Sequence, residues 1–224
     1  MRSKHKALLL VLCVVLLVSA TAFGTLAYLT DTEAVTNTFT VGQVGLKLDE
    51  AKVDEMGNPD GDNRWQPTDE DPEQEYHLLP GHSYTKDPTV TVDAGSEESY
   101  IRMMVTVTFE NALTDEQLAT GLDSIFAGYD AAKWPRHGKT VSDDNKTITY
   151  EYRYHTTVDG KDDEGENAAQ KLEALFTTIN VPGEYTNEQI AFLNGMEIKV
   201  EAHAIQKDGF ANADAAWAAF APTT

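Results

Sequence analysis

Ser99-Tyr100-Ile101-Arg102-Met103-Met104-Val105-Thr106-Val107-Thr108-Phe109 decides the fold class. Ile101, Met103, Val105, Val107 and Phe109 are apolar, Arg102, Thr106 and Thr108 between them are polar, and Met104 alone breaks the pattern. Side chains alternate sides along an extended chain, so this period predicts a strand with one face in a core. Thr147–His155 repeats it, with Ile148, Tyr150, Tyr152 and Tyr154 set between Thr149, Glu151 and Arg153. Met196–Ala204 repeats it again, with Met196, Ile198, Val200, Ala202 and Ala204 set between Glu197, Lys199, Glu201 and His203. Weaker strand patterns occupy Val35–Val41, Val44–Leu48, Thr89–Val92 and Leu175–Val181. The row Tyr150, Tyr152, Tyr154 suits the core face of a strand better than a carbohydrate platform.

Helical signals between these strands are short. Thr114 and Gln117 form a capping box ahead of Leu118, Leu122, Ile125 and Phe126. Thr186 and Gln189 repeat that signature before Ile190 and Leu193, and Asn212 is placed to cap a last helix holding Ala215, Trp217 and Phe220. With no internal repeat and no linker, the expectation is one all-β sandwich with short helical insertions, covering residues 28–224.

Upstream, Arg2, Lys4 and Lys6 precede the apolar run Ala7–Val18 and then small residues, the layout of a secretory signal peptide. Two cleavage points fit: Ala27–Tyr28, after Thr25-Leu26-Ala27, and as second choice Ala22–Phe23, after Ala20-Thr21-Ala22. Counted on to Leu29, the stretch approaches the roughly 20 residues that span a bilayer, so an uncleaved anchor is the alternative. Cleavage leaves no permanent membrane span and removes Cys13, the one cysteine. The expected product is a secreted chain with no disulfide and no thiol chemistry, held together by its core.

The chain has 17 basic and 37 acidic residues, a net charge of −20, and loss of Arg2, Lys4 and Lys6 makes it more negative still. Nucleic acid and anionic membrane surfaces are therefore poor partners. Acids crowd into Asp49–Glu75, together with Pro59, Pro67 and Pro72, which predicts a long exposed loop anchored by Trp65. Asp159–Glu166 reads as a second acidic loop.

Several segments, taken in order, resemble the TasA/camelysin family of secreted bacterial proteins. Gly24, Thr25, Ala27, Leu29 and Asp31 are similar to its processing junction, and Thr36, Phe39 and Gly42, then Val44, Leu46 and Leu48, to the segment after it. Leu79-Pro80-Gly81 with Lys86, Ala94-Gly95-Ser96 with Tyr100-Ile101-Arg102, Leu175-Phe176-Thr177, Glu201–Gln206 and Ala216-Trp217 continue the likeness downstream. The resemblance implies cleavage at Ala27–Tyr28 by a dedicated signal peptidase, a jelly-roll β-sandwich, and a place in the cell surface or biofilm matrix, where some members form fibres. The segment 28–41, with Val35, Phe39 and Val41 on one face, is then a candidate donor strand for self-association or for binding other matrix proteins. Its alternatives are a first strand of its own sandwich or a tail.

The camelysin branch of that family is classed as metalloprotease, which obliges a search for chemistry. No His-Glu-x-x-His occurs, and His77, His82, His137, His155 and His203 are scattered, the last two at polar strand positions where histidine is ordinarily exposed. No Gly-x-Ser-x-Gly elbow or phosphate loop is present. Asn58, Asp60 and Asp62 have the first spacing of a calcium loop, but Asn63 and Asp69 stand where Gly and Glu belong. The sequence therefore calls for no catalytic residue and no cofactor, with calcium on Asn58, Asp60 and Asp62 the one metal offered. A non-enzymatic surface or matrix protein is the expectation; a metalloprotease and a monomeric adhesin using the acidic loop are the alternatives.

Overall fold

The computed structural model describes residues 43–66, 74–120, 125–186 and 190–220. Segment 1–27, both cleavage junctions (Ala27–Tyr28 and Ala22–Phe23) and the proposed assembly residues Val35, Phe39 and Val41 lie outside the described residues. From Gln43 the chain forms β1 (Leu46–Val53), β2 (Pro59–Trp65), β3 (Ser83–Thr85), β4 (Thr89–Val92), β5 (Ser99–Thr108), helix α1 (Asp115–Thr120), β6 (Phe126–Ala127), β7 (Arg136–Val141), β8 (Thr147–Arg153), β9 (Gln170–Lys171), β10 (Thr178–Asn180), a 3-10 turn (Ala191–Leu193), β11 (Glu197–Gln206) and helix α2 (Ala213–Ala219). The fold is all-β. The strands make three antiparallel sheets, ordered β2-β1-β4-β9, β3-β10-β6 and β11-β5-β8-β7.

The third sheet is built from the three long alternating segments. β5 lies at its centre, paired with β11 from Glu197↔Thr108 to Gln206↔Ser99 and with β8 from Arg102↔Arg153 to Thr108↔Thr147. This register puts Ile101, Met103, Val105 and Val107 on the same side as Ile148, Tyr150 and Tyr152, and all of these are buried. They meet Val90 and Val92 of β4, Tyr84 of β3, Phe126 of β6 and Ile179 of β10 in one core that draws on every sheet, a sandwich-like arrangement. Each such side chain contributes about 1.5–3 kcal/mol through removal from water.

Both capping expectations at the helices hold. Thr114 N–H donates to Gln117 Oε1 at 2.8 Å, Gln117 N–H donates to Thr114 Oγ1 at 3.3 Å, and Ala215 N–H donates to Asn212 Oδ1 at 2.9 Å. After Thr186, Ile190 is helical and its N–H donates to Thr186 O at 2.9 Å, the 3-10 turn Ala191–Leu193 follows, and Gln189 lies outside the described residues. The weak segment Thr89–Val92 is β4 itself, Val44–Leu48 is the start of the longer β1, and of Leu175–Val181 only Thr178–Asn180 is strand.

Asp49–Glu75 is not the long loop expected from its composition. Its first part is a hairpin, with Glu50↔Trp65, Ala51↔Arg64 and Val53↔Pro59 as register pairs. β2 buries almost nothing, so it carries no apolar alternation to read; backbone pairing to β1 holds it. The turn is set by Asp54, whose carboxylate accepts the N–H groups of Met56 and Asn58, each at 2.9 Å. Gly57 there has φ 74°, and a Cβ would stand 2.6 Å from the Tyr84 Cα, so both backbone conformation and space call for glycine. Trp65 is half-buried, as an anchor should be, and residues 67–73 lie outside the described residues.

Candidate functional site

β11 is a ten-residue edge strand. One side pairs with β5 along its whole length, and no described strand is hydrogen-bonded to the other. Its inward side chains are also covered differently from those of β5. Ile198, Val200, Ala202 and Ala204 are only partly buried, whereas Ile101, Met103, Val105 and Val107 are at most 1% exposed. Leu46 and Leu48 of nearby β1 are partly buried too. A long open edge beside half-covered aliphatic side chains is the form that accepts an added strand. On the solvent face, Lys199 Nζ pairs with Glu201 at 3.0 Å, and charges at such an edge hinder indiscriminate pairing.

Helix α2 covers the outer face of the same sheet. Trp217 and Phe220 clasp the Arg102 guanidinium, whose carbon lies 4.4 Å and 4.8 Å from the two ring centres. Arg102 Nε donates to His203 Nδ1 at 3.2 Å, and the His203 ring lies 4.9 Å from that of Phe220. His203 is therefore half-buried, correcting the expectation of an exposed strand histidine: α2 folds back over it. Burial and the Arg102 charge hold its pKa below the ordinary 6.5, with Glu201 opposing. The unfolded chain then binds this proton more readily than the folded one, so stability from this group falls as pH drops below about 6.5. A thermal midpoint that declines between pH 7.5 and 5.0, less steeply in His203→Gln, is the expected result.

A polar cluster fills the side of the β1–β2 hairpin. Where β1 leaves β4, side chains replace the missing strand: Ala51 N–H donates to Asp87 Oδ1 at 2.6 Å and Val53 N–H to Gln74 Oε1 at 2.7 Å. Arg64 bridges Asp49 at 2.6 Å and Asp87 at 2.5 Å, and also reaches the Asp87 carbonyl and Thr89 Oγ1, each at 3.2 Å. Lys86 and Glu50, each 6% exposed, form an ion pair of 2.7 Å. Nothing in the local sequence announces this pair, since the partners are 36 residues apart.

The calcium candidates lie on the exposed side of the hairpin. Asn58 gives its amide to the Asp54 carboxylate at 3.0 Å, and Asp60 accepts the Asn63 amide at 3.1 Å. Asp60 and Asp62 both lie in β2, on either side of Gly61, whose φ of 59° interrupts the extended backbone between them. Among the described residues no three His, Cys, Asp or Glu side chains are grouped to hold a metal ion. His77, His82, His137 and His155 are exposed. Tyr150 and Tyr152 are buried and Tyr154 is partly so, the core role expected of that row. A shallow depression lined by Phe126, Tyr129, Ala131, Arg136, Tyr152 and Phe176 contains no carboxylate, imidazole or thiol. No family model matches the chain, and no match was found among curated proteins or solved structures.

Proposed function

We propose that this is a secreted, non-enzymatic structural protein of the bacterial cell surface or biofilm matrix. In this reading it has a jelly-roll topology and assembles by strand addition. The segment 28–41 of one molecule pairs with the open edge of β11 in the next, and Val35, Phe39 and Val41 cover Ile198, Val200, Ala202 and Ala204. The observation that carries the reading is that edge: ten residues long, unpaired among the described residues, with its aliphatic face half-covered. One further feature supports it: the donor segment is long enough to follow β11 from end to end.

Export places the segment at the new N-terminus if cleavage falls at Ala27–Tyr28, and the likeness to the TasA/camelysin family agrees with both steps. Electron microscopy of the exported protein at high concentration is expected to show polymers, and deletion of residues 28–41 to abolish them while the remaining domain stays folded. Polymers that persist after the deletion refute strand donation.

A further inference from the structure

We propose that Lys86 and Gln74 are the reactants of an intramolecular isopeptide bond, with Glu50 as the proton carrier between them. Lys86 Nζ donates to Glu50 Oε1 at 3.0 Å and to Oε2 at 2.7 Å, while Gln74 Nε2 donates to the same Oε1 at 3.0 Å. Amine and carboxamide thus share one carboxylate oxygen. The carboxamide is fixed on β1: Nε2 also donates to Ala51 O at 3.1 Å, and Oε1 accepts the Val53 N–H at 2.7 Å. That backbone donor polarises the Gln74 carbonyl and is aimed at the oxygen on which negative charge would develop. The amine sits in a buried pair beside the Tyr76 ring, its nitrogen 5.8 Å from the ring centre.

The chemistry balances without a co-reactant. Glu50, in direct contact with the Lys86 ammonium at 2.7 Å, takes a proton from it as the reaction begins. Rotation about the terminal lysine torsions brings Nζ to Gln74 Cδ, and the Nζ–Cδ bond forms. The Cδ–Nε2 bond breaks as protons pass in turn through Glu50 from Nζ to Nε2. Ammonium leaves, and the Glu50 carboxylate is regenerated. Burial of Glu50 and Lys86 limits the access of water to the reacting amine. The bond would tie the segment ahead of β3 to the segment after it. No disulfide can brace the described domain, because the chain's one cysteine is Cys13.

The test is the intact mass of the purified, denatured full chain, followed by peptide mapping. The wild type is expected to be lighter than its sequence by one ammonia. Trypsin should fail to cut after Lys86, and a protease specific for glutamate, cutting after Glu73 and Glu75, should release a branched peptide joining Gln74 to the segment around Lys86. Glu50→Gln and Lys86→Gln should each show the unshifted mass. A wild-type chain of full mass that trypsin cuts after Lys86 overturns the proposal, and this reading requires no variant to fold. Ammonia loss mapped instead to Asn194-Gly195 also overturns it, as does a branched peptide that survives Glu50→Gln.

Discussion

Trp134→Ala will lower the stability of the folded domain by about 3–5 kcal/mol, the range for removing a buried aromatic side chain. Trp134 is fully buried although it lies in the connection between β6 and β7, where side chains are usually exposed. Its indole meets the Tyr154 ring edge-on at 4.9 Å, and Nε1 donates to the Glu173 carbonyl at 2.9 Å. Its own carbonyl accepts the Tyr129 hydroxyl at 2.6 Å. The side chain therefore fastens two connections, β6–β7 and β9–β10, to Tyr154 at the end of β8, and truncation leaves a cavity and an unpaired carbonyl together. Urea unfolding should show a lower midpoint with an unchanged slope, because the surface exposed on unfolding is nearly the same. Trp134→Phe keeps most of the volume and should lose less than half as much. A loss under 1 kcal/mol in the alanine variant would mean that these connections are not held by the indole.

Arg64→Met will cost about 2–4 kcal/mol, less than the loss of one partner in a fully buried pair because the guanidinium is a quarter exposed. The arginine is the only described cation bonded to both Asp49 and Asp87, and its removal leaves these part-buried carboxylates, one on β1 and one just before β4, without it. Asp87 also accepts the Ala51 N–H, so the strain passes into the backbone where β1 changes partner from β4 to β2. Adding Asp49→Asn should recover part of the loss, since it removes the orphaned charge while keeping an acceptor, and a double-mutant cycle measures that coupling. Additive effects would show that Arg64 and Asp49 act independently.

The parts of this fold that are legible in the sequence are those in which burial has a period. β5, β8 and β11 each present one face to the core, so alternation marks them to within about two residues. Thr114 and Asn212 are legible because a cap is a local chemical event. β2 and β7 are not, since both are exposed strands held by backbone pairing, which leaves no trace in side-chain type. The acidity of Asp49–Glu75 reports solvent exposure faithfully but cannot separate an exposed hairpin from an exposed loop. β3, β6, β9 and β10 are two or three residues long, too short for any period. The Glu50, Gln74 and Lys86 cluster arises only when distant segments meet. The donor half of the proposed assembly is visible as Val35, Phe39 and Val41 on one face. Its acceptor half is not, because the sequence of β11 resembles that of an interior strand and only the sheet order makes it an edge.

Hydrogen exchange at β11, compared between monomer and polymer of the exported protein, addresses strand donation most directly. The amides of Glu197–Gln206 that face away from β5 should exchange rapidly in the monomer and become strongly protected on assembly, while those bonded to β5 stay protected throughout. Outward-facing amides that are already protected in the monomer, or that remain unprotected in the polymer, would contradict the account.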